Sequence, residues 1–165
     1  MSKRGPAVRE LSPGEWQILR TTRLRALWES PQAFASTYFD EAHLDESQWR
    51  RRLEQATWLV AVDGRAIIGM AGLVVGDEPE APHIESIWVD ASHRRLGVFR
   101  TLLGRAVEIG RATGWDSLYL WVVGNNHVAR CAYTSVGFKP TGEEQPLPAD
   151  GNRIERRFEL DVGGW

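Results

Sequence analysis

The stretch from His83 to Arg105 reads HIESIWVDASHRRLGVFRTLLGR and gives the strongest indication of the fold. An apolar, strand-like run from 84 to 89 ends at Asp90. A basic turn with Gly97 follows, and apolar residues then recur at helical spacing. The first N–H groups of a helix have no intrahelical partner, and the helix dipole is positive there. This order of strand, basic turn and helix start therefore predicts an anion-binding site.

The turn itself favours a phosphate group as the anion. Gly97 lets the backbone approach closely, and Arg94, Arg95 and Arg100 supply positive charge. The turn is neither a Walker loop nor a dinucleotide fingerprint, because it lacks Gly-Lys-Ser/Thr and two of the three glycines. No acidic metal ligand accompanies it. We expect a pyrophosphate held without a metal; the alternative is a plain strand-to-helix connection.

Length and composition predict one domain over residues 1–165. A hydrophobic content of 42% supplies a core, and the net charge of −2 argues against nucleic-acid binding. The single cysteine forbids an internal disulfide, and the scattered histidines give no zinc spacing. The sequence shows neither a secretory leader nor an apolar run long enough to span a bilayer. We therefore expect a cytoplasmic protein that binds no membrane.

Periodicity and turn residues predict a mixed α/β order, with antiparallel hairpins followed by a β-α-β-α-β unit. Capping boxes start two helices, at Ser12 to Glu15 and at Asp45 to Gln48. Asp63-Gly64 predicts a hairpin turn. The predicted strands are 8–11, 57–62, 66–75, 83–89, 117–123, one from 138, and 153–160 near a sheet edge. Two later helices are expected at 97–113 and from 125 to 135. The segments 32–43, 76–82 and 145–151 are interpreted as loops, the first with the alternative of a broken helix.

Two further features carry possible chemistry. In Asn126-x-x-Ala129-x-x-x-Tyr133, the small Ala129 shares a helix face with Tyr133 and leaves room beside its hydroxyl. The alternative is that Tyr133 simply packs. Glu85 lies in an apolar strand, where desolvation would raise its pKa toward that of a general base. The alternative is that its face of the strand is solvated.

Taken together, residues 84–138 resemble the GNAT superfamily of acyl-CoA-dependent N-acetyltransferases. The turn from Arg94 to Arg100 and the later block from Asn126 to Phe138 match the two hallmark blocks of that family in order and spacing. The resemblance implies an α/β (α+β) fold. Its central sheet is mixed and mostly antiparallel, with about six to seven strands, about four flanking helices and a splayed pair of central strands.

The resemblance also implies a site for acetyl-CoA as co-substrate, without a metal. The turn would hold the pyrophosphate, and the preceding strand would pair with the pantetheine arm. Phe99 stands where the family has a second small residue, and we expect it to pack inward beneath the helix. The implied contacts with the coenzyme are Ile87, Trp88, Val89, Arg94, Arg95, Leu96, Gly97, Val98, Phe99, Arg100 and Asn126.

The implied reaction is direct transfer of an acetyl group to a primary amine in a ternary complex. Glu85 would take a proton from the amine, and Tyr133 would protonate the departing thiolate. A non-catalytic acyl-CoA-binding or sensing domain is the alternative, which Phe99 favours. A nucleotide-phosphate-binding module unrelated to acyl transfer is a more distant one.

The expected acceptor is a small-molecule or peptide amine with an apolar part. Trp28, Phe34, Tyr38 and Trp121 are its candidate contacts, and Asp40 and Glu41 would attract its positive charge. The same aromatic loop is equally explained as a hydrophobic lid or as the contact of a homodimer.

Overall fold

The computed structural model describes residues 5–75, 82–147 and 150–165, and these contain one seven-stranded sheet. The strand order is β1-β2-β3-β4-β5-β7-β6. All neighbours are antiparallel except the parallel pair β4 and β5. The strands are β1 (Ala7–Glu10), β2 (Thr57–Asp63), β3 (Ala66–Val74), β4 (His83–Val89), β5 (Ser117–Val123), β6 (Lys139–Leu147) and β7 (Asp150–Asp161). The mixed, mostly antiparallel sheet predicted from the sequence is confirmed.

Among the described residues, five α-helices flank the sheet. They are α1 (Trp16–Glu29), α2 (Tyr38–Ala42), α3 (Glu46–Glu54), α4 (Val98–Thr113) and α5 (His127–Ser135). The segment predicted as a loop or broken helix contains a 3-10 turn, Pro31–Ala33, and the short α2. Residues 76–81 of the other predicted loop lie outside the described part of the chain.

Alternating side chains on the strands build a core on each face of the sheet. In β2, Leu59 and Ala61 pack with α4, while Trp58 and Val60 pack with α1 and α3. The apolar face of α4 is fully buried against the first set of residues. Burial of these apolar surfaces is the main force that holds the helices on the sheet.

The capping box predicted at Asp45 is confirmed, whereas the one predicted at Ser12 is wrong. Asp45 accepts the N–H of Gln48 at 2.9 Å, and the Gln48 side chain accepts the N–H of Asp45 at 2.9 Å. Ser12 begins a turn instead, and α1 begins at Trp16. The Glu15 carboxylate accepts the N–H of Ser12 at 2.7 Å and is held by both terminal nitrogens of Arg9.

The last strand lies one position in from a sheet edge, in agreement with the prediction that 153–160 is near an edge. β7 lies between β5 and β6, and β6 is the edge strand. The charges that indicated an edge form cross-strand pairs: Arg156 contacts Glu144 at 2.6 Å, and Arg157 contacts Glu143 at 2.7 Å. β6 also extends through Leu147, into the predicted loop.

The central strands β4 and β5 splay apart, as the fold prediction implied. They share one paired position, His83 with Tyr119, at the start of β4. A bulge sits just beyond it, where Ser86 has a φ of 56° and the register between β3 and β4 shifts. A bulge bends its strand and interrupts the ladder. The two strands therefore open a gap toward the C-terminal end of β4.

Candidate active site

A cleft of about 850 Å³ lies beside the second half of β4, between the start of α4 and α5. Ten of the eleven predicted coenzyme contacts line it, and so does the predicted catalytic tyrosine. The exception is Leu96, whose side chain is 65% exposed and lies outside the cleft wall. The predicted residues in the wall are Ile87, Trp88, Val89, Arg94, Arg95, Gly97, Val98, Phe99, Arg100, Asn126 and Tyr133.

The turn before α4 presents free backbone amides to this cleft. Thr101 donates its N–H to the carbonyl of Gly97 at 3.0 Å. Within the described part of the chain, the N–H groups of the three preceding helical residues, 98–100, have no backbone acceptor. Gly97 has a φ of 82°, which a residue with a side chain adopts only with strain. Glycine is therefore required here for the turn's shape.

The arginines of the turn differ in their contacts. Arg94 donates from Nε to the carbonyl of Val89 at 3.1 Å and from Nη2 to the Ser30 hydroxyl at 3.2 Å. Arg94 thus ties the turn to β4 and to the end of α1. Arg95 and Arg100 are exposed at the cleft and can attract an anion.

Asp90 anchors the other end of the turn. It accepts the N–H of Ser92 at 2.9 Å and lies 3.0 Å from Nδ1 of His93, and its other oxygen contacts Arg25 of α1. Hydrogen bonds from Ser92 and then His93 are the main causes that hold the pKa of the Asp90 carboxyl well below its usual range. The anchor is therefore ionised at neutral pH.

Phe99 and Tyr133 meet at the inner end of the cleft. Their ring centroids are 5.5 Å apart in an edge-on arrangement. Phe99 packs against the core beneath α4, as expected, while one side of its ring faces the cleft. Burial raises the pKa of Tyr133 to about 12, so the phenol is protonated at neutral pH. A phenol in this state can donate a hydrogen bond into the cleft.

Trp88 contributes less to the cleft than predicted. Its side chain is only 3% exposed and packs in the core formed with α1 and α3. The guanidinium of Arg25 covers the indole ring at 4.9 Å. The reason is strand alternation, because Ile87 and Val89 flank Trp88 on the opposite face of β4.

A second cavity of about 710 Å³ lies on the other side of the β4 bulge; we call it the acceptor cavity. Strands β4, β5 and β7 form one wall, and the segments of α1, α2 and α3 with the intervening loop form the other. Ala33 and Phe34 line both this cavity and the cleft. The two spaces therefore adjoin at these two residues, beside the splayed strands.

Two of the four predicted acceptor contacts lie in this cavity, and two do not. Phe34 and Trp121 line it. Trp28 is 66% exposed and packs edge-on against Tyr38, which in turn packs against Phe39. Neither Trp28 nor Tyr38 lines either cavity, so their contact with an acceptor stays a prediction. Tyr38 is half-buried and also packs against the core formed with α1 and α3.

Glu85 lies in the acceptor cavity, but it is not desolvated. Its side chain is 47% exposed, and Oε2 is 3.6 Å from Nε2 of His83. The prediction of a carboxylate enclosed by apolar neighbours is therefore wrong. The apolar residues beside it in sequence point to the cores or the cleft, and the splay leaves the face of Glu85 open.

The sequence-based reasoning missed a buried charge cluster in the helical wall of this cavity. Glu41 is 2% exposed and accepts two hydrogen bonds from Arg23, at 3.0 and 2.9 Å, and one from Arg52 at 2.8 Å. Burial raises the pKa of Glu41, but Arg23 and then Arg52 outweigh burial and lower it. Arg23 also donates to the Ser86 hydroxyl at 3.0 Å and so reaches the bulge.

This cluster argues against the predicted role of Glu41 in attracting an amine, whereas the same role for Asp40 stays a prediction. Two arginines already neutralise Glu41, and Asp40 accepts a hydrogen bond from the Thr37 hydroxyl at 2.7 Å. A signal for the cluster was present, because Arg23 falls on the apolar face of α1 between Leu19 and Leu27.

The described residues lack two features. No three His, Cys, Asp or Glu side chains come together there as a metal-binding group. In the same residues, no helix has both the length and the apolar character needed to cross a bilayer.

Comparison with known proteins identifies the class to which this fold and site belong. Residues 22–138 match the model of the acetyltransferase (GNAT) family, and the chain belongs to that family. A mycothiol acetyltransferase from Beutenbergia cavernae is 37% identical over 84 residues, which are 50% of this chain and 28% of the relative. The chain spans less than half the length of the curated relatives it matches.

Solved structures share the fold over nearly the whole chain. A GNAT acetyltransferase from Streptococcus pneumoniae superposes with a TM-score of 0.79 at 19% identity, covering 96% of this chain and 99% of the other. The protein yncA from Salmonella typhimurium, solved with acetyl-CoA, has a TM-score of 0.75 at 15% identity, covering 96% and 95%. At these identities the likeness establishes the fold.

Proposed function

We propose that this acetyltransferase moves an acetyl group from acetyl-CoA to a primary amine by direct attack in a ternary complex. The observation that carries the proposal is the meeting of two cavities at Phe34, on either side of the bulge in β4. One cavity has free helix amides and arginines suited to phosphates. The other contains carboxylates suited to an amine. Two reactants held in this way approach each other where the central strands part.

The coenzyme site is proposed on the cleft residues. The amides at the start of α4, with Arg95 and Arg100, fit a pyrophosphate. The free edge of β4 from Ile87 to Val89 fits the amide-containing arm of coenzyme A, because the splay leaves this edge without a strand partner on the β5 side. Asn126 caps α5 through the N–H of Ala129 at 3.1 Å and lines the same cleft.

Glu85 is proposed as the group that deprotonates the amine. A lysine-like amine has a pKa of about 10.4 and is protonated at neutral pH, so it must lose a proton before it attacks. Glu85 lies in the acceptor cavity on the strand that borders the cleft. Its exposure leaves room for a water between carboxylate and amine.

Tyr133 is proposed to donate a hydrogen bond to the departing sulfur and to supply its proton. A thiol has a pKa of about 8.5, so a thiolate is a weaker base than the Tyr133 phenolate. The phenol, with its pKa raised to about 12, therefore stabilises the thiolate as a donor. For Tyr133 to give its proton to the sulfur, the phenol must regain a proton at the same time. The attacking amine releases that proton as the new amide forms. No covalent bond to the enzyme is required.

The domain organisation, cellular location and partners of the protein complete the proposal. We propose that residues 1–165 act as one N-acetyltransferase domain in the cytoplasm, without a metal, a nucleic acid or a membrane as partner. The acceptor is a small-molecule or peptide amine. A homodimer remains a prediction of the sequence, and sedimentation velocity at two protein concentrations measures it directly.

Two measurements test the proposal. Calorimetry with acetyl-CoA, ATP and NAD should give binding for acetyl-CoA and at least tenfold weaker binding for the other two. Release of the coenzyme A thiol should then require an added amine. Tight binding of ATP with no binding of acetyl-CoA would replace the proposal with a nucleotide-binding function.

The variant Tyr133→Phe separates catalysis from coenzyme binding. We expect kcat to fall by about 100-fold, as for loss of a general acid, while the Kd for acetyl-CoA changes by less than about threefold. Tyr119→Phe is the matched control, because Tyr119 bonds Glu159 on β7 and lines neither cavity. An unchanged kcat in Tyr133→Phe would contradict the role of Tyr133. Absence of turnover in the parent protein would favour a coenzyme sensor.

A further inference from the structure

We propose that the acceptor amine also carries a carboxylate and that Arg52 binds this carboxylate in the acceptor cavity. The inference rests on the proposed acetyl transfer and specifies its substrate class. It depends on three observations. Two N–H donors of the Arg52 guanidinium lack an acceptor among the described residues, the two walls of the cavity carry opposite charge, and the proposed base fixes where the reacting amine lies.

The first observation is that Arg52 keeps two donors free. Its Nη1 contacts Glu41 at 2.8 Å, and among the described residues Nε and Nη2 have no hydrogen-bond acceptor. The side chain packs over the Trp49 ring at 5.3 Å, lines the cavity and is 35% exposed. Arg23 uses this same pair of nitrogens, Nε and Nη2, to hold both oxygens of Glu41. Arg52 therefore offers the two-donor edge that matches a carboxylate.

The second observation is that the two walls carry opposite charge. The helical wall has Arg23 and Arg52 against Glu41, which leaves one positive charge in excess. The strand wall has Glu85 and Glu155, beside His83. An acceptor with one positive and one negative group complements both walls, whereas a simple amine leaves the helical wall without a counter-charge.

Glu155 and Glu85 are not equivalent within the strand wall. Glu155 accepts a hydrogen bond from Gln145 at 2.6 Å, whereas Glu85 accepts no hydrogen bond shorter than its 3.6 Å contact with His83 among the residues that the structure describes. Glu85 is therefore the carboxylate more available to an ammonium group.

The third observation fixes the direction of the acceptor. The reacting amine must lie at the strand wall, because Glu85 and the cleft residues Ile87 and Val89 belong to the same strand. The rest of the molecule then extends across the cavity toward α3 and Arg52. Phe34 and Trp121 line the space between the walls and suit an apolar chain. The inferred acceptor therefore has an amine and a carboxylate separated by several carbons, as in an ω-amino acid.

Three amines of matched length test this inference. They are 5-aminopentanoate, pentylamine and cadaverine, with an anionic, a neutral and a cationic tail, assayed by thiol release with saturating acetyl-CoA. We expect kcat/KM for 5-aminopentanoate to exceed that for pentylamine by about tenfold, the usual effect of a charge-assisted hydrogen-bond pair. Cadaverine should be the poorest acceptor.

Substitution of Arg52 assigns the preference to that residue. In Arg52→Gln the ratio of kcat/KM between 5-aminopentanoate and pentylamine should fall about tenfold. Arg52→Lys keeps the positive charge but loses the paired N–H donors of the guanidinium, so it should retain part of the preference for 5-aminopentanoate. Arg51→Gln is the matched control, because Arg51 is exposed on the same helix and lines neither cavity. Unchanged acetyl-CoA binding in all three variants shows that the fold is intact.

The outcomes distinguish this inference from the proposed function. Turnover of all three amines at similar kcat/KM, or a preference that Arg52→Gln leaves unchanged, overturns the carboxylate site and leaves acetyl transfer standing. If no amine gives thiol release, acetyl transfer to these amines fails. Calorimetry of 5-aminopentanoate against pentylamine, with the parent and Arg52→Gln, then decides the site: only a carboxylate preference that depends on Arg52 supports it.

Discussion

Arg23 shows how one residue connects the buried charges to the shape of the site. It is 7% exposed, and it contacts Glu41 with two nitrogens and Ser86 with the third. The Phe34 ring lies 4.8 Å from its guanidinium carbon. A buried charge is tolerated only when it is paired and hydrogen-bonded. Arg23 meets that requirement and at the same time holds the residue at which β4 bends.

Glu85 was predictable as a candidate base, but its environment was not. The sequence has Ile84 before it and Ile87 two residues after it, and the structure packs both of these side chains against the core beneath α4. Its fitness as a base therefore depends on proximity to the acceptor amine and not on burial.

Glu85→Gln should lower kcat/KM by about 100-fold, because the amide keeps the shape of the side chain and cannot accept the proton. The Kd for acetyl-CoA should remain unchanged, since Glu85 lies outside the coenzyme cleft. Steady-state thiol release and calorimetry measure both. Glu155 is the other carboxylate of the strand wall, and Glu155→Gln should lower kcat/KM by less than about tenfold. Equal losses in the two variants would mean that Glu85 contributes only general negative charge.

Gly97→Ala should weaken acetyl-CoA binding by about tenfold, because a side chain at a φ of 82° strains the turn that presents the amides. Gly64→Ala is a closely matched control: Gly64 also has a positive φ, 61°, and neither glycine has an atom within 4 Å of an added Cβ. Both variants should lose similar stability in urea unfolding. Only Gly97→Ala should change the Kd measured by calorimetry, and an equal change in both would refute the assignment of the turn.

At the scale of elements, β4 organises the site. Its first half pairs with β5, Ser86 bends it, and its second half borders the coenzyme cleft. Residues 84–86 face the acceptor cavity, and residues 87–89 face the cleft. A single strand thus borders both cavities because a bulge changes its direction midway.

The contact between α4 and β3 depends on the absence of a side chain at Gly69. A Cβ there would lie 3.0 Å from Cγ1 of Val98, 3.1 Å from Cδ1 of Leu102 and 3.1 Å from the carbonyl of Trp88. These neighbours belong to the start of α4 and to β4, so the position links the core to the phosphate turn.

Gly69→Ala should reduce the free energy of unfolding by about 1–3 kcal/mol, the usual cost of overpacking a core. It should also weaken acetyl-CoA binding, because the start of α4 must move. Urea unfolding and calorimetry measure the two effects. Gly14→Ala, where an added Cβ meets nothing within 4 Å, should change neither quantity. A Gly69→Ala protein as stable as the parent would show that α4 is not in tight contact there.

At the scale of the whole molecule, Asp90 joins parts that are distant in sequence. Its carboxylate contacts Arg25 of α1 and His93 of the turn, and His93 in turn lies 3.7 Å from Asp63 of the β2–β3 hairpin. Helix, turn and hairpin are therefore held together by one ionised group beside the coenzyme cleft.

Asp90→Asn should be less stable than the parent at pH 7 by about 1.5–3 kcal/mol, the usual value of a hydrogen bond to a charged group. The folded-state pKa of Asp90 lies below its unfolded value of 3.8, so its contribution is complete above 3.8 and is lost as the pH falls further. Urea unfolding from pH 7 to pH 3 should show this difference narrowing at the acidic end. In the control Asp63→Asn, whose side chain is 70% exposed, the difference should be close to zero. A constant difference for Asp90→Asn across this range would rule out the titration.

Several structural features of this protein are determined by residues that are consecutive in the sequence. The Gly97 turn, the apolar face of α4 and the Asn126 cap are encoded by neighbouring residues, so the sequence predicted this turn and the helix that follows it. The side of a strand on which a residue lies also follows from its place in the local sequence. In β2, alternate residues therefore pack into the two different cores. These features depend on backbone geometry that a few consecutive residues fix.

Only the tertiary structure decided which distant side chains share a space. It placed Arg23, Glu41 and Arg52 on one wall of the acceptor cavity and left Trp28 and Tyr38 outside. It also opened the face of Glu85 to solvent. These outcomes follow from where β4 bulges and how three helices meet, and such contacts depend on packing between elements far apart in the chain.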